Sequence, residues 1–357
     1  MSALRKTVLT VVPSALAIGL SFLVGGVFII FLGKDPIEIF GKFFAESFGN
    51  SYGVGQILFK ATPMIFTGLA AAICFRSGLF NIGAEGQLLI GAFTTAWVGF
   101  TFTSLPAFIL LPLCVIGGIL GGAFWGIIPG ILKAKFGAHE VINTIMMNFI
   151  GAAMISYLVG NLLAVPGTVH TPFIAQSAEL PRLGSMLDFF RGSPVNFSLF
   201  IAIGACIFMY YLLWKTRFGY ELRTMGSNVN AARYGGINVA RRTIMAFGIS
   251  GGFAGLVGSN FVLGYKHYFE LGFSENTGFI GIAVALLANN HPIGIIFSSL
   301  LFGILDYGGL AVNTIVPKEI VNILQALIII FVIILTKVFD RWIVLFWKHE
   351  KAGNANV

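Results

Sequence analysis

Charge is scarce in this chain of 357 residues: 10% of them are Asp, Glu, Lys or Arg, against roughly 25% in an ordinary soluble domain. With 57% hydrophobic residues and a mean hydropathy of +0.90, most of the polypeptide belongs in lipid. Cysteine is equally thin. Cys74, Cys114 and Cys206 each sit inside an apolar run, where the expected reading is a small hydrophobe rather than a disulfide framework. No G-x-x-x-x-G-K-[ST] occurs, so nothing here cradles ATP phosphates with the P-loop geometry, and energy is expected from a partner or a gradient. No H-E-x-x-H occurs either, and His139 with Glu140 lacks the further ligands of a zinc site. The five histidines, His139, His170, His267, His291 and His349, are scattered along the chain, so neither a metal site nor an enzyme's catalytic cluster is expected.

What is present is a succession of apolar runs, at 8–32, 57–75, 88–104, 107–132, 141–165, 197–214, 244–263, 279–288, 293–305 and 320–336. Several reach the roughly 20 residues that cross hydrocarbon as a helix, and the two short runs flanking 289–292 predict a broken or tilted pair. The expected fold class is an all-α integral membrane protein of about ten transmembrane helices. The first run follows Arg5 and Lys6 but exceeds a signal-peptide core, and no small-x-small site follows before Lys34, so it is kept as a span.

The net charge of +8 is read as orientation, not as affinity for nucleic acid. With the N-terminus inside, about two-thirds of the 22 cationic side chains fall on the cytoplasmic side, which also places the C-terminus there. Outside the spans, stretches 33–56, 166–194, 215–243 and 340–357 are too short for a separate soluble core. The first two are expected to face outward and to form short interfacial helices. The third opposes six cations to the single Glu221 and is expected in the cytoplasm, with a short helix near 231–234 capped by Asn230 and ended by Gly235 or Gly236.

Three segments carry chemistry. In 75–87, Gly78, Gly83 and Gly86 permit tight turning, while Asn81, Glu85 and Gln87 bring polar groups to membrane depth. Two readings stand there: Glu85 pairs with Arg76 and shapes a turn, or Asn81, Glu85 and Gln87 line a polar conduit. In 138–149, Asn143 and Asn148 lie on neighbouring helix faces and are placed for interhelical hydrogen bonds. In 217–237, Phe218, Tyr220 and Tyr234 stand among arginines, the pairing a docking surface uses. Gly-rich polar interruptions at 76–91 and 272–292 point to internally repeated halves with a path built from broken helices, on which Glu275 and Asn276 also lie.

Segments 75–87, 139–148 and 218–237 closely resemble the signatures of ABC importer permeases of the simple-sugar, nucleoside and branched-chain amino acid superfamily. Residues 78–87, followed by His139-Glu140-Val141-Ile142, look most like the larger permease of bacterial nucleoside importers. The resemblance implies a single transmembrane permease domain over 1–357 in the bacterial cytoplasmic membrane, surrounded by lipid. It also implies two ATPase subunits that hold ATP and magnesium, a second related permease or a second copy of this chain, and an extracellular substrate-binding lipoprotein. The cytoplasmic loop 215–243 would then carry a coupling helix at 228–237, with Arg217, Tyr220, Glu221, Arg223, Asn228, Asn230, Arg233, Tyr234 and Gly235 as the ATPase-facing set. Asn81, Glu85, Gln87, Asn143, Asn148, Glu275 and Asn276 are the translocation-path set, and no cofactor is expected on this chain. The main rival is a gradient-driven secondary transporter using Glu85, Glu275 or Asp306 as proton relay or cation ligand.

Overall fold

The computed structural model describes residues 3–317, 319–332, 334, 335 and 338, with side chains from residue 15 onward. The orientation signals at Arg5, Lys6, Lys318, Lys337, Arg341, Lys348 and Lys351, and the tail 340–357, lie outside the described side chains. Among the described residues, regular structure is helical apart from two isolated bridges, His170 with Glu270 and Arg182 with Asn196.

In chain order the helices are α1 (Ala3–Phe31), α2 (Pro36–Phe48), α3 (Ser51–Arg76), α4 (Ala84–Thr101), α5 (Ala107–Phe136) and α6 (Glu140–Tyr157). There follow α7 (Ser198–Lys215), α8 (Arg217–Ser227), α9 (Val229–Tyr234), α10 (Val239–Gly255), α11 (Thr277–Leu287), α12 (Pro292–Val312) and α13 (Glu319–Val332). Two π-helical stretches, Leu158–Leu163 and Ser259–Lys266, prolong α6 and α10. Among the described residues six helical runs are long and apolar enough to cross a membrane: Ser51–Arg76, Ala107–Phe136, Glu140–Leu163, Ser198–Lys215, Val239–Lys266 and Pro292–Val312. The stretches 33–56 and 166–194, expected to form short helices, do so as α2 and as three 3-10 turns within 176–190.

Local chemistry sets the boundaries. Asn50 accepts from the Gly53 amide at 2.6 Å and starts α3, while Gly137, at φ 67°, ends α5 after Lys133 and Lys135 in its last turn. Pro292 opens α12, where its missing amide costs nothing.

The contacts divide the chain into two units, residues 48–307 and residues 1–47 with 308–357. In the second, Phe22 stacks on Phe44 at 5.9 Å and meets Phe40 and Phe43 edge-on, and Gly308 and Gly309 seat Phe43 and Val321. In the first, α3 and the α10 run are the central posts. Protein surrounds 89% of each hydrophobic window, against 28–33% for the Ala107–Phe136, Glu140–Leu163 and Ser198–Lys215 runs, which keep broad exposed apolar sides.

Glycine makes the tightest seam. Gly118, Gly122, Gly126 and Gly130 recur every fourth residue on α5 and meet Gly255, Gly251, Phe247 and Ile244 of α10 in reverse order, so the two helices pack antiparallel. A Cβ at Gly122 or Gly126 would collide with the carbonyl of Gly251 or Phe247, so no larger residue permits this approach.

The predicted break near 289–292 is present. Asn289 and Asn290, at φ 50° and 55°, separate α11 from α12. With 11 residues, α11 is roughly 16 Å long, about half the hydrocarbon thickness. The non-helical stretch 267–276 leads into it and is held by backbone bonds from Thr171 to Phe269 at 2.9 Å and from Ile174 to His267 at 2.8 Å.

Candidate functional site

Between α3 and α4 the chain leaves helical geometry at 77–83, and an exposed backbone break inside a membrane protein must find partners within the protein. Gly78, at φ 71°, makes the turn. Asn81, fully buried, then organises the break. Its Nδ2 donates to Gln87 Oε1 at 3.0 Å and to Ser250 Oγ at 2.8 Å, and its Oδ1 accepts the Gly83 amide at 2.8 Å. Ser250 in turn donates to the Ala70 carbonyl at 2.6 Å, so one side chain ties the turn to α3, α4 and α10.

Asn148 repeats the device from α6. Its Oδ1 accepts from the Gly86 amide at 2.8 Å and its Nδ2 donates to the Ile82 carbonyl at 2.9 Å, while Thr144 accepts from the Ile82 amide at 3.2 Å. The interhelical role expected for Asn148 is therefore present. Asn143 lies on the adjacent face, and its Nδ2 is buried without a hydrogen-bond partner among the described residues. Asn81 and Gln87 thus satisfy each other while Asn148 binds the backbone of the same turn, a closed polar knot in this conformation rather than an open channel.

Glu85 does not pair with Arg76. Its Oε2 accepts the Gly278 amide at 2.8 Å, placing a carboxylate on the positive N-terminal end of α11, and Ser274 adds a side-chain hydrogen bond. Thr67, in the middle of α3, donates to the Thr277 carbonyl at 3.1 Å, which fixes the start of α11 beside the centre of a full span. Glu275 and Asn276, exposed and at φ 43° and 65°, form the turn that delivers the chain to this point. Lys60 on α3 lies 3.1 Å from Asp306 on α12 and 3.9 Å from Glu275, an internal ion pair that the sequence reading had placed only as separate charges.

The candidates in loop 215–243 form a second group. Thr216 accepts the Gly219 amide at 3.1 Å to cap α8. Glu221, on the buried side of α8, is bracketed by Arg217 at 3.1 Å and by Arg242 of α10, whose guanidinium also lies over the Phe218 ring at 5.1 Å. Desolvation pushes the Glu221 carboxyl upward, but Arg242 and then Arg217 outweigh it and hold it below the usual carboxylate range, so it stays ionised. The short helix α9 is capped by Asn228 rather than Asn230: Asn228 Oδ1 accepts the amides of Asn230 and Ala231 at 2.9 and 3.0 Å. The reason is conformational, since Asn228 has the extended backbone an N-cap requires while Asn230 is already inside the helix. Gly235 ends α9 and Gly236, at φ 77°, turns the chain away, as expected.

Only Ala232 of α9 is buried. Tyr234 is 95% exposed and Tyr220 60%, and Val229, Asn230 and Arg233 are exposed beside them, so a rigidly seated elbow presents aromatic, apolar and cationic groups outward. The base of this elbow touches the knot's approach, because Gly226 at the end of α8 abuts the Arg76 carbonyl and Gly78.

The Gly118 to Gly130 face and the Lys60 to Asp306 pair escaped sequence reading. The four-residue glycine spacing is the signal that reveals the first, whereas a separation of 246 positions hides the second.

The family model for the branched-chain amino acid transport system permease component matches residues 53–333. The chain is 40% identical over 325 residues to the guanosine ABC transporter permease protein NupP of Bacillus subtilis, covering 89% of this chain and 91% of that one. It is 36% identical over 335 residues to the nucleoside ABC transporter permease protein NupB of Lactococcus lactis, covering 92% of each. It is likewise 36% identical over 347 residues to the glucose ABC transporter permease protein TsgB13 of Haloferax volcanii, covering 93% of this chain and 90% of that one. No solved structure matches the chain significantly.

Proposed function

The chain belongs to the family of branched-chain amino acid transport system permease components, and we propose that it is the larger permease subunit of an ATP-driven importer that brings nucleosides into the cell. Two similar proteins carry nucleoside or guanosine in their names and a third carries glucose, so a cargo containing a sugar ring is common to all three. The chain works as a transport component, and ATP with magnesium is bound and hydrolysed by two partner subunits. A second related permease, or a second copy of this chain, completes the path, and an extracellular lipoprotein delivers the cargo. The chain sits in the bacterial cytoplasmic membrane with about ten crossings, both termini inside, and two repeated halves. Support for the repeat comes from the non-helical interruptions at 77–83 and 267–276, whose following helices α4 and α11 meet by their N-termini at Glu85 and Gly278.

The observation that carries this reading is the α8–α9 elbow. An exposed hydrophobic and cationic tip, anchored through Glu221 to α10 and through Gly226 to the end of α3, is built to receive a push from a soluble partner. The carboxylates that a gradient-driven mechanism would use are engaged within the chain, Glu85 by α11, and Asp306 and Glu275 by Lys60.

The test is Arg233→Glu combined with Tyr234→Ala. Removing an aromatic and an arginine anchor costs about 2 kcal/mol or more at an interface, so copurification with the ATPases and ATP-dependent uptake should each fall by a factor of about thirty. The isolated permease should melt unchanged, because both side chains are exposed. Undiminished uptake would remove the elbow from the mechanism.

A further inference from the structure

The last residue of α3, Arg76, holds the turn that follows α11. Its Nη2 donates to the Asn289 carbonyl at 2.7 Å and its Nε to the Asn290 carbonyl at 3.1 Å. Those two asparagines occupy left-handed backbone in succession, a conformation that persists only where the surroundings impose it, and the guanidinium fork takes both of their carbonyls at once.

The same guanidinium lies 5.5 Å from the centre of the Trp214 ring, in the last turn of α7, and the Arg223 guanidinium of α8 lies 6.0 Å from that centre. His291, the next residue of the turn, packs on Trp214 at 5.2 Å. One indole therefore joins α8, the end of α3 and the turn beyond α11, and it stands among two like charges that would otherwise repel. Burial, reinforced by Arg76, holds the His291 imidazole below its ordinary range, so no third cation joins them at neutral pH.

From the turn, α11 runs as one unbroken helix to Gly278, where it meets Glu85. A displacement of α8 has a path through Arg223, Trp214 and Arg76 to the turn, and α11 carries it as a rod to the centre of the bundle. We propose that Arg76 and Trp214 are positioning residues that transmit movement of the α8–α9 elbow to α11, so that partner ATP hydrolysis moves the half-span. The proposal rests on the reading of the elbow as the ATPase contact. Lysine cannot replace Arg76, because a single ammonium lacks the planar fork that bonds two carbonyls while stacking on a ring.

The experiment compares Arg76→Lys, Trp214→Leu and Trp214→Phe in the complete importer reconstituted in vesicles. It measures assembly, ATP hydrolysis and nucleoside uptake on the same preparations. Arg76→Lys and Trp214→Leu should assemble and hydrolyse ATP within about twofold of the unsubstituted complex, while uptake per ATP falls about tenfold. Trp214→Phe keeps an aromatic face and should restore most of that ratio. Unchanged uptake per ATP in the assembled variants would overturn the clamp alone, as would hydrolysis and uptake falling in equal proportion in all three. Failure of the unsubstituted complex to take up nucleoside with ATP would overturn the underlying functional reading and the clamp with it.

Discussion

Gly126→Leu is expected to abolish recovery of a monodisperse permease from detergent, with folded protein reduced at least about tenfold. The side chain would enter the space taken by the Phe247 carbonyl, and backbone cannot withdraw as the tip of a flexible side chain can. Overpacking a well-filled site costs about 1–3 kcal/mol even where side chains absorb it; here α5 and α10 must separate along a seam four glycines long. Separation would also open Ser250, on α10, away from Asn81. Gly204→Leu is the matched control. It adds the same apolar volume to α7, where a Cβ meets nothing within 4 Å, on the wall of an apolar groove of about 730 Å³ between α5, α7 and α10. That variant should elute and melt like the parent. Equal recovery of the two leucine variants in size-exclusion profiles would show that the glycine face is dispensable.

Asn81→Leu should be the most damaging change outside that seam. Leucine fills a similar volume but leaves the Gly83 amide, the Gln87 amide and the Ser250 hydroxyl without their partner in a site closed to water. Stranding a buried polar group costs about 1–3 kcal/mol. Some of the groups will re-pair, so a total on the order of 4 kcal/mol is expected, lowering the apparent melting temperature by about 10 °C. Gln87→Leu, which removes a single member of the knot and leaves Asn81 its bond to Ser250, should lower it by about half as much. The check is a thermal melt in one detergent, followed by uptake at a temperature where both variants are folded. A melting point unchanged by Asn81→Leu would mean that the knot is not what holds the α3–α4 break.

Much of the architecture was legible because lipid imposes a coarse rule: apolar runs become helices, and interruptions mark breaks. The runs at 57–75, 107–132 and 244–263 lie within described helical runs, and the turn at 289–290 falls where Asn, His and Pro interrupted the pattern. The polar segments 75–87 and 138–149 supply the side chains of the buried knot. Their partners were not legible. Asn81 finds Ser250 across 169 positions and Glu85 finds Gly278 across 193, and no periodicity within 75–87 encodes either choice. Arg76 was the local alternative for Glu85, but it is drawn away by the two asparagine carbonyls and by Trp214. The cap of α9 failed for a smaller reason: in Asn228-Val229-Asn230 either amide side chain suits an N-cap, and only the backbone extension at 228 decides between them.

The arrangement as a whole separates two tasks. A closed polar knot and a glycine seam fix the central posts α3 and α10, α11 packs closely on α3 through Gly68 and Gly281, and the elbow is joined to the posts through Glu221 and Gly226. An exposed elbow joined at few points can move without the core repacking, which is what an importer powered from outside its own chain requires.

The most direct measurement loads vesicles with this permease alone, or with the second permease, the ATPases and the lipoprotein, and follows labelled nucleoside entering them. With the full set, uptake should require ATP and continue after proton and sodium gradients are collapsed, and the permease alone should take up nothing under either gradient. Accumulation by the lone permease on an imposed gradient, indifferent to ATP, would contradict the account.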